Sequence, residues 1–237
     1  MPSFEIIAFD ADDTLWYNER LYVRAQAQLK ALLAPYVAED RMDASLYLTE
    51  MRNLDHFGYG IKSFALSMIE TAIELSGGQI SAHEIQQVIQ TAREMMIADV
   101  ELIDHAAESL AILAPEHALM LVTKGDLRDQ EIKISRSGLA GYFRYVEILS
   151  DKTTETYRSI LERHATLADR FLMVGNSLRS DILPVLELGA HAAYIPQELT
   201  WAHEKAGGLP AGHPRFHQLQ HIGQLSDLVR RLEGQSG

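Results

Sequence analysis

The chain has no cysteine among its 237 residues, which excludes disulfides, thiol nucleophiles, iron–sulfur clusters and cysteine-ligated zinc together. Any catalysis must run on oxygen and nitrogen groups. Positive charge is scarce, with 21 Lys and Arg against 33 Asp and Glu and a formal net charge of -12. A field of that sign repels phosphate backbones and anionic lipid surfaces, which argues against a nucleic acid polymer or a membrane as partner. Nowhere do about 18 uninterrupted apolar residues occur, so no membrane span is expected. The opening MPSFEIIAFD lacks the basic start and long apolar core of an export signal, and the expectation is a soluble, cytoplasmic protein.

What remains is an ordinary globular composition, 47% hydrophobic and 23% charged, enough to bury a substantial core. At roughly 150 residues per domain the length implies one full domain with an insertion or a small companion. Short apolar runs of strand length recur at 4–9, 118–122, 145–149, 171–174 and 192–195. Helical patterns at 126–137, 154–165 and 178–188 separate the later runs, the alternation of an α/β, doubly wound parallel sheet. Gly138 and Gly189 follow two of these helices, where a left-handed terminator is favoured. From 16 to 102 the alternation stops. Ser81 and Glu84 have the form of a capping box before Ile85, Val88, Ile89 and Met96, and Ala65, Met68, Ile69, Ala72 and Ile73 make a second apolar stripe. The predicted organisation is an α/β core over 1–15 and 103–237 with an all-helical insertion over 16–102.

Ligands of open parallel sheets bind beyond the carboxyl ends of the strands. After the first run stands Asp10-Ala11-Asp12-Asp13-Thr14, after the second Thr123-Lys124-Gly125-Asp126, after the third Ser150-Asp151-Lys152, and after the fourth Gly175-Asn176-Ser177 with Asp181 one turn on. Three carboxylates within four positions repel one another unless a cation sits among them, and hard oxygen donors suit Mg²⁺ better than zinc. The plainer alternative is an acidic turn with an Asp helix cap. Thr123 alone reads as a helix cap and either lysine as a solvated charge. Together, carboxylates, a hydroxyl, an ammonium and a second acidic site are the parts of a metal-assisted phosphoryl transfer.

These four segments, in this order, resemble the motifs of the haloacid dehalogenase superfamily of aspartate-nucleophile hydrolases. The resemblance implies a Rossmann-like core with a helical cap inserted after the first strand, and a capped phosphatase acting on a small phosphorylated metabolite with Mg²⁺. It makes Asp10 the nucleophile and Asp12 the acid/base, with Thr123 binding a phosphoryl oxygen and Lys152 offsetting charge. Asp10, Asp12 through its carbonyl, Asn176 and Asp181 would serve the metal. Asn176 departs from the aspartate of many relatives and removes one negative charge. Asp12 favours a phosphatase, because a departing halide needs no proton. The alternatives are a 2-haloacid dehalogenase-type hydrolase and a catalytically weak binding protein. A phospho-accepting receiver module is disfavoured by the long helical stretch between Asp10 and Thr123.

Discrimination between leaving groups falls to the insertion, where residues 53–62 read as a loop carrying His56 and Lys62 as substrate-binding candidates; Lys124 is a third, beside Thr123. Trp16 and Tyr17 either line an entrance or pack under the cap, and Asp13 reads as a turn residue. His203, His213, His217 and His221 near the end are taken as structural rather than metal ligands, since Gly212 and Pro214 interrupt any shared helix. The expected state is a monomer or homodimer.

Overall fold

A computed structural model describes residues 4–199, 201–204 and 208–234. It divides into two compact units, one of residues 1–19, 100–124 and 131–237, the other of 20–99 and 125–130. The first is built on β1 (Ile6–Phe9), β2 (Ala118–Lys124), β3 (Tyr145–Leu149), β4 (Phe171–Gly175), β5 (His191–Tyr194) and β6 (Phe216–Gln218). All pair in parallel in the order β3-β2-β1-β4-β5-β6. The order reverses between β1 and β4, where an open sheet leaves its binding crevice.

Alternation along the strands decides which face each side chain covers. Ile7, Phe9, Leu119, Leu121, Leu172 and Val174 point to one face, with Ala106, Leu110 and Leu113 of α5 (Ala106–Leu113) and Leu228 and Val229 of α9 (Leu225–Gly234). Ile6, Ala8, Met120, Val122, Phe171 and Met173 point to the other, with Tyr157, Ile160 and Leu161 of α7 (Thr154–Arg163) and Val185 and Leu186 of α8 (Leu183–Glu187). Both faces are thus dry, as a parallel sheet requires. Gly138 and Gly189 are left-handed, φ 72° and 79°, and close α6 (Leu127–Arg136) and α8. The sixth strand has no counterpart among the apolar runs read from the sequence, because its three residues are too few to show a period.

The second unit packs α1 (Glu19–Leu33), α2 (Glu39–Phe57), α3 (Ile61–Leu75) and α4 (Ala82–Ile97) around Leu29, Leu33, Met42, Phe64, Met68, Ala72, Val88 and Met95. The capping box forms, with Ser81 accepting from the Glu84 amide and Glu84 reaching back to the Ser81 amide. Two sequence expectations shift here. The α3 stripe turns slightly, burying Ser67 and Thr71 and leaving Ile73 exposed. Residues 53–57 are the last turn of α2 rather than loop, because Asn53 bonds Ser67 Oγ at 3.1 Å and Glu70 at 2.8 Å, leaving only Gly58–Gly60 as the turn. Trp16 belongs to the α/β unit, its backbone bridged to Leu102 and its ring 1% exposed in the core. Among the described residues no helix is long and apolar enough to cross a membrane.

Candidate active site

Asp10 follows the last residue of β1, and its amide donates to the Val174 carbonyl at 2.9 Å, which fixes it at the reversal point between β1 and β4. Its carboxylate is nearly buried. Oδ1 accepts from Lys152 Nζ at 2.5 Å and Oδ2 from Thr14 Oγ1 at 3.0 Å. The Thr14 hydroxyl also lies 3.3 Å from Asn176 Oδ1, and its single proton can serve only one of the two at a time. Lys152, delivered by the segment after β3, bonds Asp181 Oδ1 at 2.8 Å as well. The Thr153–Thr156 capping box starts α7 immediately behind it and anchors its backbone.

Asp181 is brought to the cluster by a π-helical turn, Leu178–Ile182, after β4. Its Oδ2 accepts from the Ser177 amide at 2.9 Å. The approach to β4 is so close that a Cβ at position 175 would collide with the Asp181 side chain, so Gly175 is dictated by packing. Asp10, Lys152, Asp181, Thr14 and Asn176 therefore form one contact network drawn from three strand ends.

Two buried carboxylates share one ammonium. Burial pushes the Asp10 carboxyl up from 3.8 to about 7, with Asp181 adding to the rise and Lys152 opposing it. Burial works to lower Lys152, but Asp10 and Asp181 outweigh it and hold the amine well above its ordinary value. The cluster is short of one positive charge if Asp10 is to act as a carboxylate at neutral pH. A hard divalent cation among Asp10, the Asn176 amide oxygen, Asp181 and the Asp12 carbonyl suits this all-oxygen donor set.

Asp12 is turned elsewhere. Both of its carboxylate oxygens accept from Lys133 Nζ at 2.8 Å, and Oδ1 also accepts from Trp16 Nε1 at 2.7 Å. Asp13, left-handed at φ 59°, accepts the Asn18 and Glu19 amides and caps the start of α1; burial raises its carboxyl to about 6 against the pull of those amides. Thr123, buried one residue before the end of β2, pairs in register with Ile148. Lys124 is engaged by Glu204 at 2.5 Å and Ser180 at 2.8 Å. In the helical unit His56 is exposed in the last turn of α2, and Lys62 donates to both oxygens of Asp126 at 2.9 Å. The tail histidines fall on separate elements: His203 beside Arg179, and His217 on β6 stacked on His191.

Sequence reasoning gave no role to Thr14, Lys133 or Glu204. Thr14 sat inside the first motif and was the most findable. Lys133 looks like a basic residue serving the last turn of a helix, and Glu204 lies in a stretch without periodicity, so neither carried a signal.

A family model of haloacid dehalogenase-like hydrolases matches residues 4–189. A haloacid dehalogenase-like family hydrolase from Xanthomonas campestris is similar over 100% of this chain and 99% of its own, at 38% identity and a TM-score of 0.90. A 2-haloacid dehalogenase from Pseudomonas syringae pv. Tomato is 22% identical, covering 97% and 99% of the two chains at a TM-score of 0.63. A predicted phosphoglycolate phosphatase from Haemophilus somnus is 13% identical, covering 96% and 99% at a TM-score of 0.62. No curated protein matches the sequence. The last two structures share the fold alone, and they lie on both sides of the division between dehalogenase and phosphatase. With its motifs, its sheet order and these matches, the chain belongs to the haloacid dehalogenase-like hydrolases.

Proposed function

We propose that this hydrolase is a Mg²⁺-dependent phosphatase that cleaves a small phosphomonoester through an aspartyl-phosphate on Asp10. The observation that carries the reading is Asp12. A second carboxyl stands two residues from the nucleophile, on the same turn, restrained by Lys133 and Trp16. An alkoxide leaving group needs a proton and a halide does not, so the acid half of the work of a carboxyl placed beside the nucleophile is called on only when an ester is the substrate.

In this reading Asp10 attacks phosphorus in line as Asp12 gives its proton to the departing oxygen, forming the acyl-phosphate and the free alcohol. Asp12, now a carboxylate, takes a proton from the water that attacks the phosphorus; inorganic phosphate leaves and Asp10 is regenerated. Lys152 offsets charge on Asp10 and the transferring group, and the Thr123 hydroxyl serves a phosphoryl oxygen. Asp10, Asp181, Asn176 and the Asp12 carbonyl would hold Mg²⁺, which would supply positive charge beside Asp10 and the phosphoryl oxygens. His56 and Lys62 are proposed to act on the leaving group, with the Lys62–Asp126 pair exchanged for substrate.

The test is a panel of phosphomonoesters assayed for inorganic phosphate with Mg²⁺ and with a chelator. Metal-dependent release from one of them is expected. For the competing dehalogenase reading, halide release from a 2-haloacid in the presence of chelator, without phosphate release, would establish it instead.

A further inference from the structure

The Asp12 side chain is held by two residues outside the four motifs, Lys133 and Trp16. Lys133, on α6 and 13% exposed at its side chain, places Nζ 2.8 Å from each carboxylate oxygen. It also lies 3.3 Å from Asn18 Oδ1, the residue whose amide bonds Asp13, so the ammonium ties the first-motif turn together at two points. Trp16 adds a rigid donor to Oδ1. Its ring is buried, and its backbone is bridged both to Asp12 and to Leu102, so Nε1 has little freedom to follow a moving carboxyl. Oδ1 thus accepts from both Lys133 and Trp16, and Oδ2 accepts from Lys133.

We propose that Lys133 and Trp16 are positioning residues for the acid/base step: they fix the orientation of the Asp12 carboxyl that exchanges the proton. This rests on the phosphatase reading above. As the P–O bond breaks, the Asp12 proton passes to the leaving oxygen and negative charge appears on Asp12 within hydrogen-bond reach of the Lys133 ammonium. In the second half the same carboxylate receives one proton from water, and the charge there is discharged. Neither residue touches substrate. Their contribution is to hold one geometry through both halves, with a fixed donor aimed where charge develops.

The experiment compares kcat/KM for para-nitrophenyl phosphate, whose leaving group departs unprotonated, with kcat/KM for a simple alkyl phosphate, whose leaving group needs the proton. This ratio of constants reports the steps through leaving-group departure. A well-placed acid contributes roughly 10²–10⁴-fold. Lys133→Met is expected to lose about 10²-fold on the alkyl ester and under about tenfold on the aryl ester, with Lys133→Arg restoring most of the loss. Trp16→Phe, which removes one donor and no charge, should show the same dependence on leaving group more weakly. In an Asp12→Asn background Lys133→Met should cost nothing further on the alkyl ester. Equal losses on both esters, no rescue by arginine, or full additivity with Asp12→Asn would overturn the proposal. If Asp12→Asn itself shows no dependence on leaving group, the acid/base reading fails; if it does and Lys133→Met does not, only the positioning role fails.

Discussion

Glu204 provides a quantitative test of how the catalytic edge is held. It lies beyond the segment matched by the family, yet its carboxylate collects Lys124 Nζ at 2.5 Å, Ser177 Oγ at 2.5 Å and Ser180 Oγ at 2.6 Å. Ser177 and Ser180 belong to the turn that delivers Asp181. Burial pushes the Glu204 carboxyl up, but the Lys124 ammonium and the three hydrogen bonds outweigh it and bring the pKa from 4.5 down to about 2. The drop from 4.5 to about 2 corresponds to about 3 kcal/mol favouring the ionised form in the folded state. That stabilisation is fully present above the unfolded value of 4.5 and is lost as pH falls from there toward about 2. Glu204→Gln keeps an acceptor for the serines and removes the charge, so at pH 7 it should lower stability by about 2–3 kcal/mol through the loss of the 2.5 Å ion pair with Lys124. Urea unfolding followed by tryptophan fluorescence reads it, since Trp16 and Trp201 both belong to the α/β unit. The gap between wild type and variant should shrink below pH 4.5 and vanish near pH 2. An equal gap at pH 7 and at pH 2.5, or none at pH 7, would refute the assignment of that stability to the Glu204 carboxylate.

Three further outcomes follow from local geometry. Gly175→Ala forces a Cβ onto the buried Asp181 side chain and should cost about 1–3 kcal/mol while also weakening Mg²⁺ binding, read by thermal unfolding and metal titration. Ser81→Ala removes half of the capping box and should lower the local stability of α4 by about 1 kcal/mol, visible as faster amide exchange in its first turn with the α/β unit unaffected. Burial lowers His191 from 6.5 to about 4 and lowers its stacked partner His217 as well. The pair should therefore contribute stability above pH 6.5 that declines as pH falls toward 4, and His191→Phe should flatten that decline in a denaturation series.

The central strands were legible because they are buried on both faces, so each appears as a short apolar run between turn residues, whereas their order in the sheet is set by pairing that no single run encodes. The positions of Asp10, Thr123 and Lys152 were legible for a related reason: each stands at or just after the end of an apolar run, where an open parallel sheet presents its side chains. Less legible were contacts made by residues far apart in sequence. Lys133 reaches Asp12 across 121 positions and Lys124 reaches Glu204 across 80, and no spacing rule encodes either. The turn at 53–62 misled because its glycines and aromatics suggest a long loop. What extends α2 to Phe57 is a buried Asn53 bonded to the neighbouring helix, a tertiary effect that overrides local propensity.

The central claim is that Asp10 carries the phosphoryl group. Rapid acid quench of the wild-type protein with para-nitrophenyl phosphate and Mg²⁺, followed by peptide mass analysis, should find one phosphoryl group on the peptide containing Asp10. Asp10→Asn, folded as judged by circular dichroism, should show neither that adduct nor release of phosphate. Undiminished turnover in Asp10→Asn, or a phosphoryl group on another residue, would contradict the account.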